Sequence, residues 1–132
     1  MANMVSKTKY PITPKQIMLA DTLTAAFGVV VSATAGVTVG SRKIVKAGTP
    51  ITGDIEARNT AFTKAGDANA VGILLHDVDV TEGNANGQIV IDGYVDLDKL
   101  DADAFALITE GVKETLSGKV RFLTGSGKKR NA

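Results

Sequence analysis

The 132-residue sequence contains no cysteine and no tryptophan, and only 5% of its residues are aromatic. Without cysteine the chain can form neither disulfides nor thiolate metal sites, although this says little about its cellular compartment. His76 is the only histidine, and no G-x-S-x-G motif supplies a nucleophile. The familiar hydrolytic constellations are therefore excluded, and we expect a protein that is not an enzyme.

Motifs for binding metal ions, phosphates or membranes are incomplete or missing. Residues 77–83, D-V-D-V-T-E-G, alternate oxygen ligands, but their glycine comes one place too late for a calcium loop, and Gln88 replaces the closing glutamate. Residues 123–129, L-T-G-S-G-K-K, lack the leading glycine of a phosphate loop and have Lys129 where serine or threonine should bind magnesium. No apolar run approaches ~20 residues, the length of a membrane-spanning helix. We expect no cofactor and no membrane partner.

Small branched residues and glycines dominate the composition. Hydrophobic residues make up 44% of the chain, charged residues make up 22%, and 14 residues are glycine. This composition is too apolar for a disordered chain and is typical of short strands joined by tight turns. A chain of this length suits one domain, which would bury about two thirds of the surface that the unfolded chain exposes.

The clearest local pattern lies in residues 69–100. Two β-branched runs, Val71 to Val80 and Gln88 to Leu97, flank a polar loop that closes on Asn86-Gly87, which is typical of a long β-hairpin. In the second run one face should be buried, and it carries Ile89, Ile91, Gly93, Val95 and Leu97. In the first run the apolar residues change face at His76-Asp77, which predicts a bulge or corner there, with His76 hydrogen-bonded at the bend.

Helical and strand signals flank this hairpin. Residues 13–16, T-P-K-Q, form a capping box and predict a short helix from Pro14 to about Ala26, although an arm that orders only on a partner is an alternative. Residues 102–117 carry an apolar stripe at helical spacing, with Gly118 as a left-handed cap, and predict one amphipathic helix. Phe62, in a polar segment, is expected to plug into the core. Short strands are predicted over Phe27–Ser32, Arg42–Ala47 and Lys119–Leu123.

Together these patterns predict a mainly β protein with minor α content (α+β). We expect a small antiparallel β-barrel or sandwich built on a long bent hairpin, with one C-terminal amphipathic helix and an N-terminal arm. The arm should span residues 1–28, with the possible helix at 14–26. The β-rich domain should span residues 29–124, and residues 125–132 should form a disordered basic tail.

The net charge of +1 hides an uneven distribution. Residues 1–46 carry six basic residues and one acidic residue, residues 47–118 carry four basic and thirteen acidic residues, and residues 119–132 carry five basic and no acidic residues. The two basic ends could contact an acidic partner or the body of a sister subunit, or they could be solvated tails; charge alone does not decide. The acidic body and the presence of only two tyrosines argue against a nucleic-acid partner.

Four segments of the chain resemble a known protein family. They are K-A-G-T-P-I-T-G-D (46–54), R-N-T-A-F-T-K (58–64), A-V-G-I-L-L-H-D-V-D-V-T-E-G-N-A-N-G (70–87) and G-Y-V-D-L-D-K-L (93–100). Taken in this order, they closely resemble the head-decoration and head-fibre proteins of tailed bacteriophages. The resemblance covers roughly residues 44–123, a length that could make one small domain. The stretch before Ile44 and the basic tail depart from it, which leaves the docking mode open.

The resemblance implies a structural virion protein that binds the exterior of a phage head and stabilises or decorates it, generally as a homotrimer at three-fold sites. Its partner would be the major capsid protein, and it would be made in the host cytoplasm. The expected capsid-contacting residues are Lys7, Lys9, Tyr10 and Ile12. The residues expected to shape the fold or the subunit interface are Gly48, Thr49, Pro50, Arg58, Asn59, His76 and Asp77.

A particle-displayed adhesin or carbohydrate-binding module is the alternative function. Such a module needs an exposed aromatic platform for stacking on a sugar. Tyr10 and Tyr94 are the obvious candidates.

Overall fold

The computed structural model describes residues 17–130, with the backbone alone for residues 18–25. The described chain is mainly β with minor α content, as the sequence predicts. Its strands are β1 (Met18–Val31), β2 (Val37–Val39), β3 (Arg42–Val45), β4 (Pro50–Thr52), β5 (Ala61–Lys64), β6 (Gly72–Leu74), β7 (Val78–Asp79), β8 (Ala85–Asp96) and β9 (Val120–Leu123). Its helices are α1 (Ala102–Ala106) and α2 (Glu110–Thr115).

The strands form one six-stranded and one three-stranded sheet. The larger sheet has the order β1-β5-β4-β6-β8-β9, and β1 also pairs with β8, so the pairing closes on itself while β9 extends outside the circuit. The smaller sheet has the order β2-β3-β7. Two pairings, β1 with β5 and β8 with β9, are parallel. The larger sheet is therefore mixed and is not the clean antiparallel barrel or sandwich that we expected.

β8 is the central strand of the larger sheet. It pairs with β1 from Ala85 to Val95. Its other edge pairs with β6 at Ile89 and Val90 and then with β9 from Gly93 to Asp96. The second arm of the predicted hairpin is thus β8, which pairs with three other strands of the sheet.

The first arm of that hairpin breaks where the sequence indicates. β6 ends at Leu74 and pairs with β8, whereas β7 begins at Val78 and pairs with β3 in the smaller sheet. The predicted corner at His76-Asp77 is confirmed, because the chain passes there from one sheet to the other. The predicted closing turn is wrong: Asn86-Gly87 lies inside β8, and residues 81–83 make the turn.

Two buried clusters cover the two faces of β6 and β8. One cluster is formed by strands of the closed circuit and of the smaller sheet and contains Val29, Val31, Val45, Ile51, Phe62, Leu74, Val78, Val80 and Ile89 among its members. The other lies between the larger sheet and the helices and includes Ile17, Ile73, Val90, Val95, Leu97, Ile108, Val112, Leu116 and Val120. Ile89 and Val90 point to opposite faces, and both are fully buried. The expectation of one buried face on β8 is therefore incomplete.

The predicted single helix over residues 102–117 is two short helices. Thr109 is extended and begins α2, since its Oγ1 accepts a hydrogen bond from Val112 N at 3.3 Å. The same hydroxyl donates to Asp67 Oδ1 at 2.9 Å, which ties the helix to the loop before β6. Gly111 permits this approach, because a Cβ there would lie 2.7 Å from Asp67 O. Gly118 adopts φ +83°, as a left-handed cap requires.

The predicted helix over residues 14–26 is wrong for residues 18–26, which belong to β1. The expected boundary of the arm at residue 28 falls inside the same strand. Residues 14–16 lie outside the described residues. Within residues 17–130, neither helix is long and apolar enough to span a membrane.

In the smaller sheet Arg42 on β3 lies against Asp79 on β7. Arg42 Nε and Nη2 donate to Asp79 Oδ2 at 3.1 and 2.9 Å, and Thr81 N donates to Asp79 Oδ1 at 3.0 Å. Hydrogen bonding to Thr81, followed by the interaction with Arg42, lowers the pKa of Asp79 from 3.8 to about 2. The ionised carboxylate therefore stabilises the end of β7.

We expect this pair to make stability depend on pH in acid. Because the pKa of Asp79 is lower in the folded chain than in the unfolded chain, its contribution is present above about pH 4 and is lost as the pH falls toward about 2. Urea unfolding of Asp79→Asn between pH 2 and 7 should show a shallower loss of stability in this window than the wild type. Glu82→Gln, which changes an exposed carboxylate in the adjacent turn, is the control. Parallel profiles for the wild type and Asp79→Asn would contradict the assignment.

Candidate functional site

Three of the family-matching residues form the turn between β3 and β4. Gly48, Thr49 and Pro50 are all buried, and Pro50 begins β4. Gly48 adopts φ +95°, a backbone conformation that residues with a Cβ rarely adopt. A Cβ at this position would also lie 2.5 Å from Leu100 Cδ2. Both the backbone and the packing therefore require glycine at this turn.

The same turn holds β6 in place. Gly48 N donates to Leu74 O at 2.8 Å, and Leu74 N donates to Thr49 O at 2.9 Å. Thr49 Oγ1 donates to Lys46 O at 2.7 Å, which satisfies its buried hydroxyl. These bonds fasten the last residue of β6, just before the chain leaves the larger sheet.

Asp77 completes this arrangement from the corner between β6 and β7. Its Oδ1 accepts a hydrogen bond from Ala47 N at 2.8 Å, so the carboxylate fixes the corner to the turn beside Gly48. His76 is exposed. The hydrogen bond that we expected from His76 at the bend is thus made by its neighbour. Gly48, Thr49, Pro50 and Asp77 lie together and shape the fold.

Arg58 and Asn59 lie apart from this cluster, in an exposed turn before β5. The Arg58 guanidinium lies 4.8 Å from the centre of the Phe27 ring, and its Nη1 donates to Ile55 O at 3.2 Å. These contacts hold the turn against β1. Asn59 is exposed, which makes the pair available to a neighbouring molecule.

Asp96, the last residue of β8, bonds to segments near both ends of the described chain. Asp96 N donates to Ile17 O at 2.7 Å, and Ile17 is fully buried. The Asp96 carboxylate is also buried, and its Oδ1 accepts a hydrogen bond from Gly125 N at 2.9 Å. One residue therefore anchors both the start of the described chain and the segment after β9. We call Ile17, Asp96 and residues 125–130 the terminal junction.

Residues 125–130, where the composition predicts a disordered tail, contact the segment after β8. Ser126 N donates to Asp98 Oδ2 at 3.0 Å, and this hydrogen bond lowers the pKa of Asp98. Arg130 Nη1 donates to the carbonyls of Leu97 and Leu100, the latter at 2.8 Å. The Arg130 guanidinium also lies 4.4 Å from the centre of the Phe105 ring. Lys128 and Lys129, between these anchors, are exposed.

The proposed contact residues of the N-terminal segment, Lys7, Lys9, Tyr10 and Ile12, lie outside the described residues. Residues 1–16, which join the body at Ile17, carry three lysines and no acidic residue. Asp96 and Arg130 were not among the residues predicted from the sequence. The local sequence does not identify either residue. The alternating pattern places Asp96 on the solvent face of a strand, and Arg130 is one of several charges in a basic run.

In the terminal junction the Asp96 carboxylate accepts hydrogen bonds from Asp98 N and Gly125 N, and the exposed side chains include Lys128 and Lys129. Among the residues whose side chains the structure describes, no three histidines, aspartates or glutamates are placed to hold a metal ion. Tyr94, a candidate for a sugar platform, is partly buried on β8. No family model matches the chain, and no curated protein matches it.

Proposed function

We propose that this protein is a structural virion protein that binds the exterior of a phage capsid and stabilises or decorates it. It assembles as a homotrimer at three-fold sites, with the major capsid protein as its partner, after synthesis in the host cytoplasm. The observation that carries this proposal is the terminal junction. There the described chain begins at Ile17 beside the basic segment 125–130, on a body whose residues 47–118 carry thirteen acidic and four basic residues.

Such an arrangement favours docking on an acidic surface. Opposite charges on two facing surfaces orient the partners and speed their association. Exposed lysine contacts are individually weak. Three copies held at one symmetric site raise the effective concentration of each contact, so the assembly binds far more tightly than one chain does.

The resemblance to phage head proteins supports the same conclusion. Four of the residues that match best, Gly48, Thr49, Pro50 and Asp77, are those that fix the turn and the corner in this fold. Residues with such structural roles would preserve a scaffold for docking. The sugar-binding alternative gains less support, because Tyr94 is partly buried and Tyr10 lies outside the described residues.

Co-sedimentation with undecorated phage heads tests the role of the basic residues 1–16. Compared with the wild type, Lys7→Gln/Lys9→Gln should lower the bound fraction, with about a tenfold or greater loss of apparent affinity, because each trimer loses six charges at its contacts. The matched control is Lys43→Gln/Lys64→Gln, which removes two exposed lysines from β3 and β5. It should bind as the wild type does.

Two results would count against the proposal. If Lys7→Gln/Lys9→Gln bound heads as tightly as Lys43→Gln/Lys64→Gln does, residues 1–16 would not contact the capsid through these lysines. Specific binding to a glycan array, with no association with heads, would instead support the adhesin.

A further inference from the structure

β9 forms one edge of the larger sheet. Among the described residues it pairs only with β8, in parallel register from Gly93 opposite Val120 to Asp96 opposite Leu123. An edge strand leaves alternate backbone N–H and C=O groups without a strand partner, and an extended segment can hydrogen-bond to them. Val120 N already donates to Leu116 O at 3.0 Å, so the backbone template consists of the carbonyl of Val120 and the N–H and carbonyl of Phe122.

The two faces of β9 differ in what they contact. Val120 and Phe122 pack into the cluster beneath the helices, whereas Arg121 and Leu123 alternate to the other face. Leu123 is 44% exposed, and it is one of two large hydrophobic side chains that the described residues expose. The outer face of the edge thus places an apolar side chain beside a positive charge.

Tyr94 on β8 extends this surface. It lies directly opposite Arg121 in the strand register, and directly paired residues share one face of a sheet. Tyrosine and arginine are enriched among the residues that dominate binding energy at protein interfaces. Tyr94, Arg121 and Leu123 therefore form a compact contact surface next to the edge.

A groove of about 350 Å³ lies between β9 and the end of α2. Its lining residues are Lys113, Ser117, Gly118, Val120, Arg121, Phe122 and Leu123. They include two cations and no carboxylate. Lys113 lies 3.6 Å from Glu110, whose side chain is 93% exposed, and such exposed pairs hold their partners weakly.

We infer that the β9 edge binds an extended acidic peptide segment of another protein. The segment adds a strand beside β9, places an apolar side chain against Leu123 and places a carboxylate against Arg121. Charge complementarity selects this occupant, because the groove is cationic and a basic segment such as residues 1–16 would be repelled. The surface is defined by these groups and does not depend on the capsid role.

The test uses the full chain and a fluorescein-labelled peptide that alternates aspartate with valine and leucine. Fluorescence anisotropy should show binding that weakens with added salt, and amide NMR shifts should centre on residues 120–123. Arg121→Glu should lower the affinity about tenfold or more, and Arg121→Gln should have a smaller effect in the same direction. Lys64→Glu makes the same charge change at an exposed site on β5 and should leave the affinity nearly unchanged.

A second peptide separates strand addition from simple charge attraction. It has the same side chains, but alternate backbone nitrogens carry methyl groups, so it cannot pair with β9. Its affinity should be lower by about tenfold or more. Circular dichroism establishes that each variant is folded. The inference is overturned by equal affinity of the wild type and Arg121→Glu, by equal binding of the methylated peptide, or by shifts away from β9. Tighter binding of a single-stranded oligonucleotide, or pairing of two copies through β9, also overturns it.

Discussion

Replacing Gly48 with alanine should lower the free energy of unfolding by about 2–6 kcal/mol. One part of the loss comes from the backbone, because φ +95° is unfavourable for any residue with a Cβ, at about 1–3 kcal/mol. The other part comes from packing. The new Cβ would lie 2.5 Å from Leu100 Cδ2, and moving a buried leucine costs about 1–3 kcal/mol. Urea unfolding measures the sum.

Gly40→Ala is the matched control for this prediction. Gly40 also has a positive φ, +62°, but a Cβ there would meet no atom within 4 Å. It should show the backbone cost alone, about 1–2 kcal/mol. If Gly48→Ala were no more destabilising than Gly40→Ala, the contact with Leu100 would not constrain this turn.

Replacing Phe62 with alanine should lower the free energy of unfolding by about 3–5 kcal/mol, the usual range for a buried phenylalanine. Phe62 is fully buried in the cluster that strands of the closed circuit and of the smaller sheet form together. Its ring lies against the backbone at Gly53, where a Cβ would be 2.4 Å from Phe62 Cδ2. The cavity left by the ring could therefore close only if the strands moved.

Leu123→Ala provides the comparison for Phe62→Ala. Leu123 is 44% exposed, so its truncation should change stability by no more than about 0.5 kcal/mol. Thermal or urea unfolding of both variants gives the difference. A similar small effect at Phe62 would show that its side chain does not support the core.

The sequence was informative where the signal is local. The change of apolar face around His76-Asp77 predicted the corner between β6 and β7, and the lone aromatic in residues 58–64 predicted a buried plug. Gly118 was recognised as a left-handed cap. Each of these features depends on a few consecutive residues, so no distant partner was needed to identify it.

The sequence was misleading where distant segments decide the outcome. The capping box at residues 13–16 suggested a helix, but residues 18–31 pair with β8, which lies far along the chain. Asn86-Gly87 resembles a hairpin turn, yet Gly87 is needed for close packing, since a Cβ there would lie 2.9 Å from Val78 Cγ2. Tertiary contacts outweighed local preference in both cases.

The candidate site was only partly predictable for the same reason. The resemblance identified Gly48 and Asp77, which hold the turn and the corner. It gave no indication of the terminal junction, because Asp96, Ile17 and Gly125 meet only in the folded chain.

The capsid role is tested most directly by cryo-electron microscopy of undecorated phage heads mixed with the purified full chain. We expect stoichiometric added density on the outer surface, centred on the three-fold sites and fitted by three copies. Heads that remain bare at saturating protein, while the chain stays folded and monomeric, would contradict it.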